Sequence, residues 1–429
     1  MADFIPITFV MLLYVPIAYF MTRTFSPQER ISILKIVTIA LLVRLAVALF
    51  IVLFVPRGLF GPDALVYMAD GMKLSDYWSG LLDSPKFFKF RFDGTNQGYY
   101  YFVAWQYYIF GKIQYFPSYV NALVGTISIF LIIKIAHQYF AWKVVRNIAL
   151  FVAFFPSLIL FNSYPLKDTL VYTLSLISLY HYIQFLNNRN WLSIFVSALV
   201  MVPLYTIRFY MVIFLLGVFF LTGFLLAGEL SLKRIARSAM AGIIVFILAF
   251  ALGVGGDAMD VVQSQGTVER ANFYQQANKE GGSAVFEGQE YKTGWDIVRY
   301  LPIRVVHFLF APFPWQITSL VSLMAFLELP FWWYLFPSTM RGFKFLLVNR
   351  RARIFMPFLV YSVFVTLLYA VLESNIGTFY RKKAQVLPLF FFMAGVGLAV
   401  QQAQKSGLPL KYILAPNQRD GEAGAIKKS

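Results

Sequence analysis

Apolar residues run through this chain in long blocks separated by short polar connections, with a full turn of charge seldom interrupting them. At a helical rise of about 1.5 Å per residue, a block of roughly 17–25 residues crosses the hydrocarbon of a bilayer. The pattern predicts about eleven such spans, at roughly 4–22, 31–55, 114–134, 147–163, 168–187, 190–206, 209–228, 236–255, 316–338, 353–372 and 386–402. The expected fold is therefore an all-α membrane protein, with residues 1–404 as one polytopic domain and 405–429 as a short polar tail. The first block lacks a basic stretch before it and a small-residue cleavage site after it, so it reads as a retained helix.

The polar connections alternate in character. Arg23, Arg30, Lys35, Lys134, Lys143, Arg146, Arg189, Lys233, Arg234, Arg237, Arg341, Lys344, Arg350, Arg351 and Arg353 fall in every second connection, and Lys405, Lys411, Lys427 and Lys428 follow the last span. The positive-inside bias assigns these to the cytoplasm. The opposite face then receives two long segments, at about 56–113 and 256–300, together with the Tyr164–Lys167 turn, Arg208 and the Asn375–Lys383 loop. The second long segment carries seven acids among residues 257–300, which suits an outer location. The first contains Gly98 to Phe110, dense in Tyr and Trp, and is expected to form an interfacial helix rather than a span.

Composition narrows the class further. With 59% hydrophobic residues, 13% charged residues and a mean hydropathy of +0.66, the chain is too apolar for a soluble domain. The net charge of +17 lies mainly in short loops, where it orients helices and meets anionic lipid, so nucleic acid is not an expected partner. The absence of cysteine excludes disulfides, thiolate zinc sites and a thiol nucleophile, and three histidines do not suggest a multi-histidine metal centre.

Four polar clusters on the outer face carry the chemistry. Asp63, in Gly-Pro-Asp-Ala, is either a general base for an acceptor hydroxyl or a helix cap. Lys167 and Asp168 form an abrupt turn, either marking a helix start or adding a second carboxylate opposite Asp63. Arg208 interrupts an apolar run and either snorkels or binds an anion. The last cluster, Asn375 to Lys383, places Arg381, Lys382 and Lys383 on the face where the topological bias disfavours cations. A guanidinium offers paired donors to phosphate, so Arg381 is the leading ligand, with Asn375, Tyr380 and Lys382 beside it and Gly377 permitting a tight turn. Arg304, His307 and the Pro312-Phe313-Pro314-Trp315 break are expected to shape a lipid-tail groove, although a lone histidine there is more readily structural.

The order Gly61-Pro62-Asp63-Ala64-x-x-Tyr67-x-Ala69, an aromatic helix ending in Phe-Gly, Asn121-Ala122-Leu123-Val124-Gly125, Phe155-Pro156-Ser157 and Lys167-Asp168 resembles membrane glycosyltransferases of the GT-C class. The likeness implies a polyprenyl-phosphate-linked sugar donor, a glycan or lipid acceptor, an active site on the outer side of a plasma membrane and a catalytic carboxylate at Asp63. The chain departs from that pattern in having no acidic pair at Asp63, one extra early span and no large C-terminal soluble domain. No cofactor is required by this expectation, and a divalent cation shared by Asp63 and Asp168 stays open. Two rivals remain: an O-antigen polymerase or ligase, and a lipid-linked sugar flippase, which would carry charge near the bilayer midplane in broken helices. Compact loops without Asn-x-Ser/Thr sequons favour a prokaryotic membrane.

Overall fold

The computed structural model describes residues 4–82, 96–226, 272, 284–286 and 291–414. The expected span at 236–255, most of the outer segment 256–300 and the tail beyond residue 414 lie outside the described residues. The elements are α1 (Phe4–Thr22), α2 (Pro27–Phe54), α3 (Asp63–Trp78), α4 (Gly98–Phe110), α5 (Phe116–His137), α6 (Trp142–Phe154) and α7 (Pro156–Asn162). They continue with α8 (Lys167–Asn188), α9 (Trp191–Leu225), α10 (Gly294–Phe310), α11 (Leu320–Val348), α12 (Met356–Leu372), α13 (Ile376–Lys383) and α14 (Leu387–Lys405). Seven helices among the described residues are long and apolar enough to cross a membrane, or eight if the bent pair α6 and α7 counts as one span. The protein is thus an all-helical, multi-pass integral membrane protein.

Side-chain contacts order the helices end to end. Phe9 packs on Phe116 near the start of α5, whereas Phe25 packs on His137 at its close, so α1 and α5 run side by side in the same direction. Asn121, one turn into α5, donates to the carbonyls of Tyr164 and Leu166, which places the α7–α8 turn at that same end. The start of α3 and the whole of α13 join it there, and this end is called the site end below. At the far end, Tyr139 and Phe140 pack on Phe355, and the Ala141 N–H bonds the carbonyl of Ile413.

Helix α9 is folded back on itself. Ser178 bonds Ser197, and Tyr182, one turn further along α8, donates to the carbonyl of Phe219. In a straight helix Ser197 and Phe219 would stand about 33 Å apart, far beyond the reach of two residues one turn apart on α8. The chain therefore climbs beside α8, reverses at Arg208, whose φ −161° and ψ 82° are extended rather than helical, and descends again. The two apolar blocks expected at 190–206 and 209–228 correspond to these two arms.

The block expected at 147–163 is likewise two helices, bent by 56° at Phe155–Pro156. Proline supplies no N–H, so the carbonyl four residues before it, on Val152, loses its helical donor. Arg44 fills that role from inside α2, donating to Ala153 O at 2.9 Å and Val152 O at 3.3 Å while fully buried. On the other side of the break, Glu328 of α11 accepts from the Ser157 N–H at 2.9 Å. A cation thus sits at a helix C-terminus and a carboxylate at a helix N-terminus, each favoured by the local dipole.

Among the described residues the closest helix pair is α11 with α14. A Cβ added at Gly342 would come within 1.9 Å of the Met393 carbonyl oxygen, and one at Gly397 within 1.8 Å of that of Ser338. Backbones in lipid approach this closely only through small residues, because packing replaces the missing hydrophobic drive between helices. The contact fixes the start of α14, and with it the short helix α13 that precedes it.

Helix α4 has thirteen residues, too short to span, and packs along α3. Tyr101, Trp105, Tyr108 and Ile109 face outward from it, while Tyr99 and Tyr107 turn inward. Such an amphipathic aromatic surface suits the headgroup level.

Candidate functional site

Asp63 is the first residue of α3, and its carboxylate makes no cap on its own helix. It reaches Arg381 of α13, with Oδ2 3.0 Å from Nη2. The Nε of the same guanidinium lies 3.3 Å from Asp168 Oδ2 at the start of α8. Asp168 Oδ1 also receives Lys382 Nζ at 3.1 Å, Arg208 Nη1 at 3.1 Å and the Gln385 side-chain amide. Arg208 further donates to the Tyr369 hydroxyl at 2.7 Å, which in turn donates to Gln385 Oε1 at 2.9 Å. Lys167 completes the group, with its ammonium 5.9 Å from the Tyr67 ring centroid and no ion pair among the described residues.

Five separate elements converge here. The break in α9 removes Arg208 from the helical ladder and turns it inward, so the guanidinium is buried rather than snorkelling to the lipid surface. Gly61 leaves room for Arg381, whose Nη1 lies 3.1 Å from where a Cβ would stand. Asn375, the N-cap of α13, accepts from the Gly377 N–H at 2.8 Å and so starts the helix that carries Arg381 and Lys382. The segment expected as a basic loop is this helix, which brings Arg381 and Lys382 to Asp168 and sends Lys383 away from it.

The two carboxylates are not equivalent. The Asp168 side chain is 3% exposed and surrounded by cations, while that of Asp63 is 44% exposed and held through Arg381. Burial opposes ionisation of Asp63, but Arg381 and then Lys382 outweigh it and hold its carboxyl below the usual range. Burial, followed by the neighbouring Arg208 and Arg381, pushes the Lys382 ammonium down to about 8. Asp168 thus acts as a fixed counterion that holds the cations in place, a role the sequence reading did not separate from catalysis. A divalent cation shared by Asp63 and Asp168 would have to displace Arg381 and stand against Arg208 and Lys382, so this donor set does not fit one. Among the described residues no three His, Asp or Glu side chains are grouped to hold a metal.

Of the other expected site residues, Tyr380 turns away from the cluster, packing edge-on against Phe161 on the side of Glu328. Arg304 is fully buried beneath the end of α12, where Nη1 donates to the Glu373 carbonyl at 3.2 Å and the guanidinium lies over the Phe286 and Tyr291 rings. His307 bonds the Ile303 carbonyl of its own helix and packs between Phe286 and Phe313. Arg304, His307, Asn375 and Tyr380 therefore support the site's surroundings without entering the cluster. Lys383 also leaves it, donating to the Ala311 carbonyl at 3.2 Å.

Gln385 and Tyr369 belong to the site and were not singled out from the sequence, while Tyr67 appeared there only as the Tyr of the Gly-Pro-Asp-Ala-x-x-Tyr motif, without a role. Gln385 carried a readable signal: it lies one helical turn after Arg381, where the two side chains can share a face. No protein-family model and no characterised protein matches the chain in sequence.

Proposed function

We propose that this protein transfers a sugar from a polyprenyl-phosphate-linked donor to a hydroxyl of a lipid-linked or surface glycan, at the outer face of a prokaryotic plasma membrane. The observation that carries this reading is the charge balance at the site end. Lys167, Arg208, Arg381 and Lys382 face Asp63 and Asp168, and Glu373 also acts on Arg381 and Lys382, so four basic groups meet three carboxylates, a surplus of one positive charge when Lys167, pushed down to about 7 by burial, is protonated. An isolated buried surplus is costly, and an anionic ligand relieves it.

The chemistry follows from that balance. A sugar phosphodiester carries one negative charge, while the departing polyprenyl phosphate carries up to two, so the cations favour the leaving group more than the bound donor. The acceptor oxygen forms a bond to the anomeric carbon as the bond from that carbon to the phosphate oxygen breaks. The electron pair leaves on the phosphate, and the hydroxyl proton passes to the Asp63 carboxylate and then to water. Attack opposite the leaving group inverts the anomeric centre.

The topology we favour has eleven spans in a GT-C-like arrangement, with the described helices contributing ten passes when α6 and α7 count as one, the arms of α9 are counted separately and α8 is added to the apolar candidates. Arg23, Lys143, Arg189, Arg350 and Lys405 lie towards the far end, which supports a cytoplasmic assignment for it and an outer one for the site. The flippase reading draws on one observation, the break between α6 and α7 flanked by Arg44 and Glu328. Both charges serve the buried helix ends beside the break, so transport is not needed to account for them. An O-antigen polymerase or ligase would depend less on Asp63.

The deciding experiment is transfer from a synthetic polyprenyl-phosphate sugar by the purified protein in nanodiscs, with a panel of glycolipid acceptors. Inverted product from the parent and loss of it in Asp63→Asn support the reading. Donor-dependent transfer that survives Asp63→Asn would move the assignment towards the polymerase or ligase class.

A further inference from the structure

We propose that Asp63 and the anionic ligand compete for the same guanidinium, so that the carboxylate is freed to act only once an anion has taken Arg381. This rests on the reading of the cluster as an anion site and adds an order of events to it. Arg381 holds two carboxylates at once, with Nη2 on Asp63 at 3.0 Å and Nε on Asp168 at 3.3 Å. The two attachments differ in how easily they yield. Asp168 is 3% exposed and also bound to Lys382, Arg208 and Gln385, so releasing it would strand a buried charge among buried cations. Asp63 is 44% exposed and can turn to water when its one ion-pair partner leaves.

An incoming phosphate therefore displaces Asp63 and leaves Asp168 in place. The paired donors of Arg381 match phosphate geometry, and Lys167, which has no ion pair among the described residues, adds a second attraction on the same side. Before the donor binds, the base faces a guanidinium and cannot accept a proton usefully. After the donor binds, the same guanidinium is on the phosphate, and the carboxylate stands free beside the anomeric carbon. A neutral acceptor arriving first meets a base still paired with Arg381, so proton transfer waits for the donor whichever substrate binds first.

The test is a double-mutant cycle on binding of farnesyl phosphate to the full chain in nanodiscs, read by titration calorimetry. Asp63→Asn is expected to tighten binding by about three- to tenfold, because the internal competitor is gone. Arg381→Ala is expected to weaken it, and Asp63→Asn added to Arg381→Ala is expected to change little further. If Asp63→Asn fails to tighten binding while Arg381→Ala still weakens it, the competition is wrong and the anion site stands. An equal gain from Asp63→Asn with and without Arg381 also overturns the competition, since removal of a negative charge alone would then explain it. If Arg381→Ala binds the probe like the parent, the reading of the anion site itself fails. Asp63→Ser provides a second removal of the carboxylate should the asparagine variant unfold.

Discussion

Arg381 follows Asp63 by 318 residues in the chain, yet its Nη2 stands 3.0 Å from Asp63 Oδ2. One guanidinium links the opening of the first long polar segment to the last short helix before α14. Its second contact, to Asp168, makes the geometry of the fork matter as much as its charge.

Arg381→Lys is accordingly expected to fail despite keeping the positive charge. A single ammonium cannot reach both carboxylates and also present paired donors to phosphate. Turnover should fall by about 10²-fold or more for Arg381→Lys and further for Arg381→Ala, with donor affinity reduced in both. Transfer rates and farnesyl phosphate titrations measure this, and parental behaviour of Arg381→Lys would remove the fork from the mechanism.

The pH dependence should follow Lys167 and then Lys382. Their folded-state values are lowered to about 7 and about 8, so each positive charge is present below its value and is lost as pH rises through it. Affinity for a prenyl phosphodiester, whose own charge is constant there, should decline from about pH 7 and reach a lower plateau above about pH 8. In Lys382→Met the upper part of the decline should disappear and the part due to Lys167 remain. A parental profile in that variant would place the titrating group elsewhere.

The helix break predicts stability effects separable from activity at the cluster. Glu328→Ala leaves the Ser157 N–H without its acceptor, and Arg44→Leu leaves the Ala153 and Val152 carbonyls without that donor. Each substitution is expected to cost about 2–4 kcal/mol. Thermal unfolding in detergent is the measurement, and an unshifted melting temperature for both variants would show that the break satisfies itself by other means.

Sidedness can be read from introduced cysteines because the native chain has none. Leu81→Cys and Trp315→Cys lie near the site end, while Leu192→Cys and Leu408→Cys lie near the far end, and all four native side chains are exposed. An impermeant maleimide applied to intact cells should label the first pair and spare the second. The reverse pattern would place the anion site in the cytoplasm and exclude an outer-face transferase.

Much of this molecule is legible in one dimension. Apolar length announces a membrane protein, because hydrocarbon thickness sets a minimum run that the local sequence must meet. Even the two short blocks flanking Arg208 could be separated, since a single cation in apolar surroundings marks a place where the chain leaves the hydrocarbon. Asp63, Asp168, Arg208, Arg381 and Lys382 were also visible as charges in the wrong setting for a bilayer. Which of them meet was not visible, because their contacts cross between helices far apart in sequence and depend on the close α11–α14 packing that positions α13. The adjacent residues Tyr380 and Arg381 show the limit plainly. They belong to one basic segment in sequence, but a helix turns successive side chains by about 100°, so one faces Glu328 and the other Asp63. The sequence determined the helices and the supply of charge; only the tertiary structure decided that Arg381 would be shared between two carboxylates, because that depends on where five distant elements come to rest.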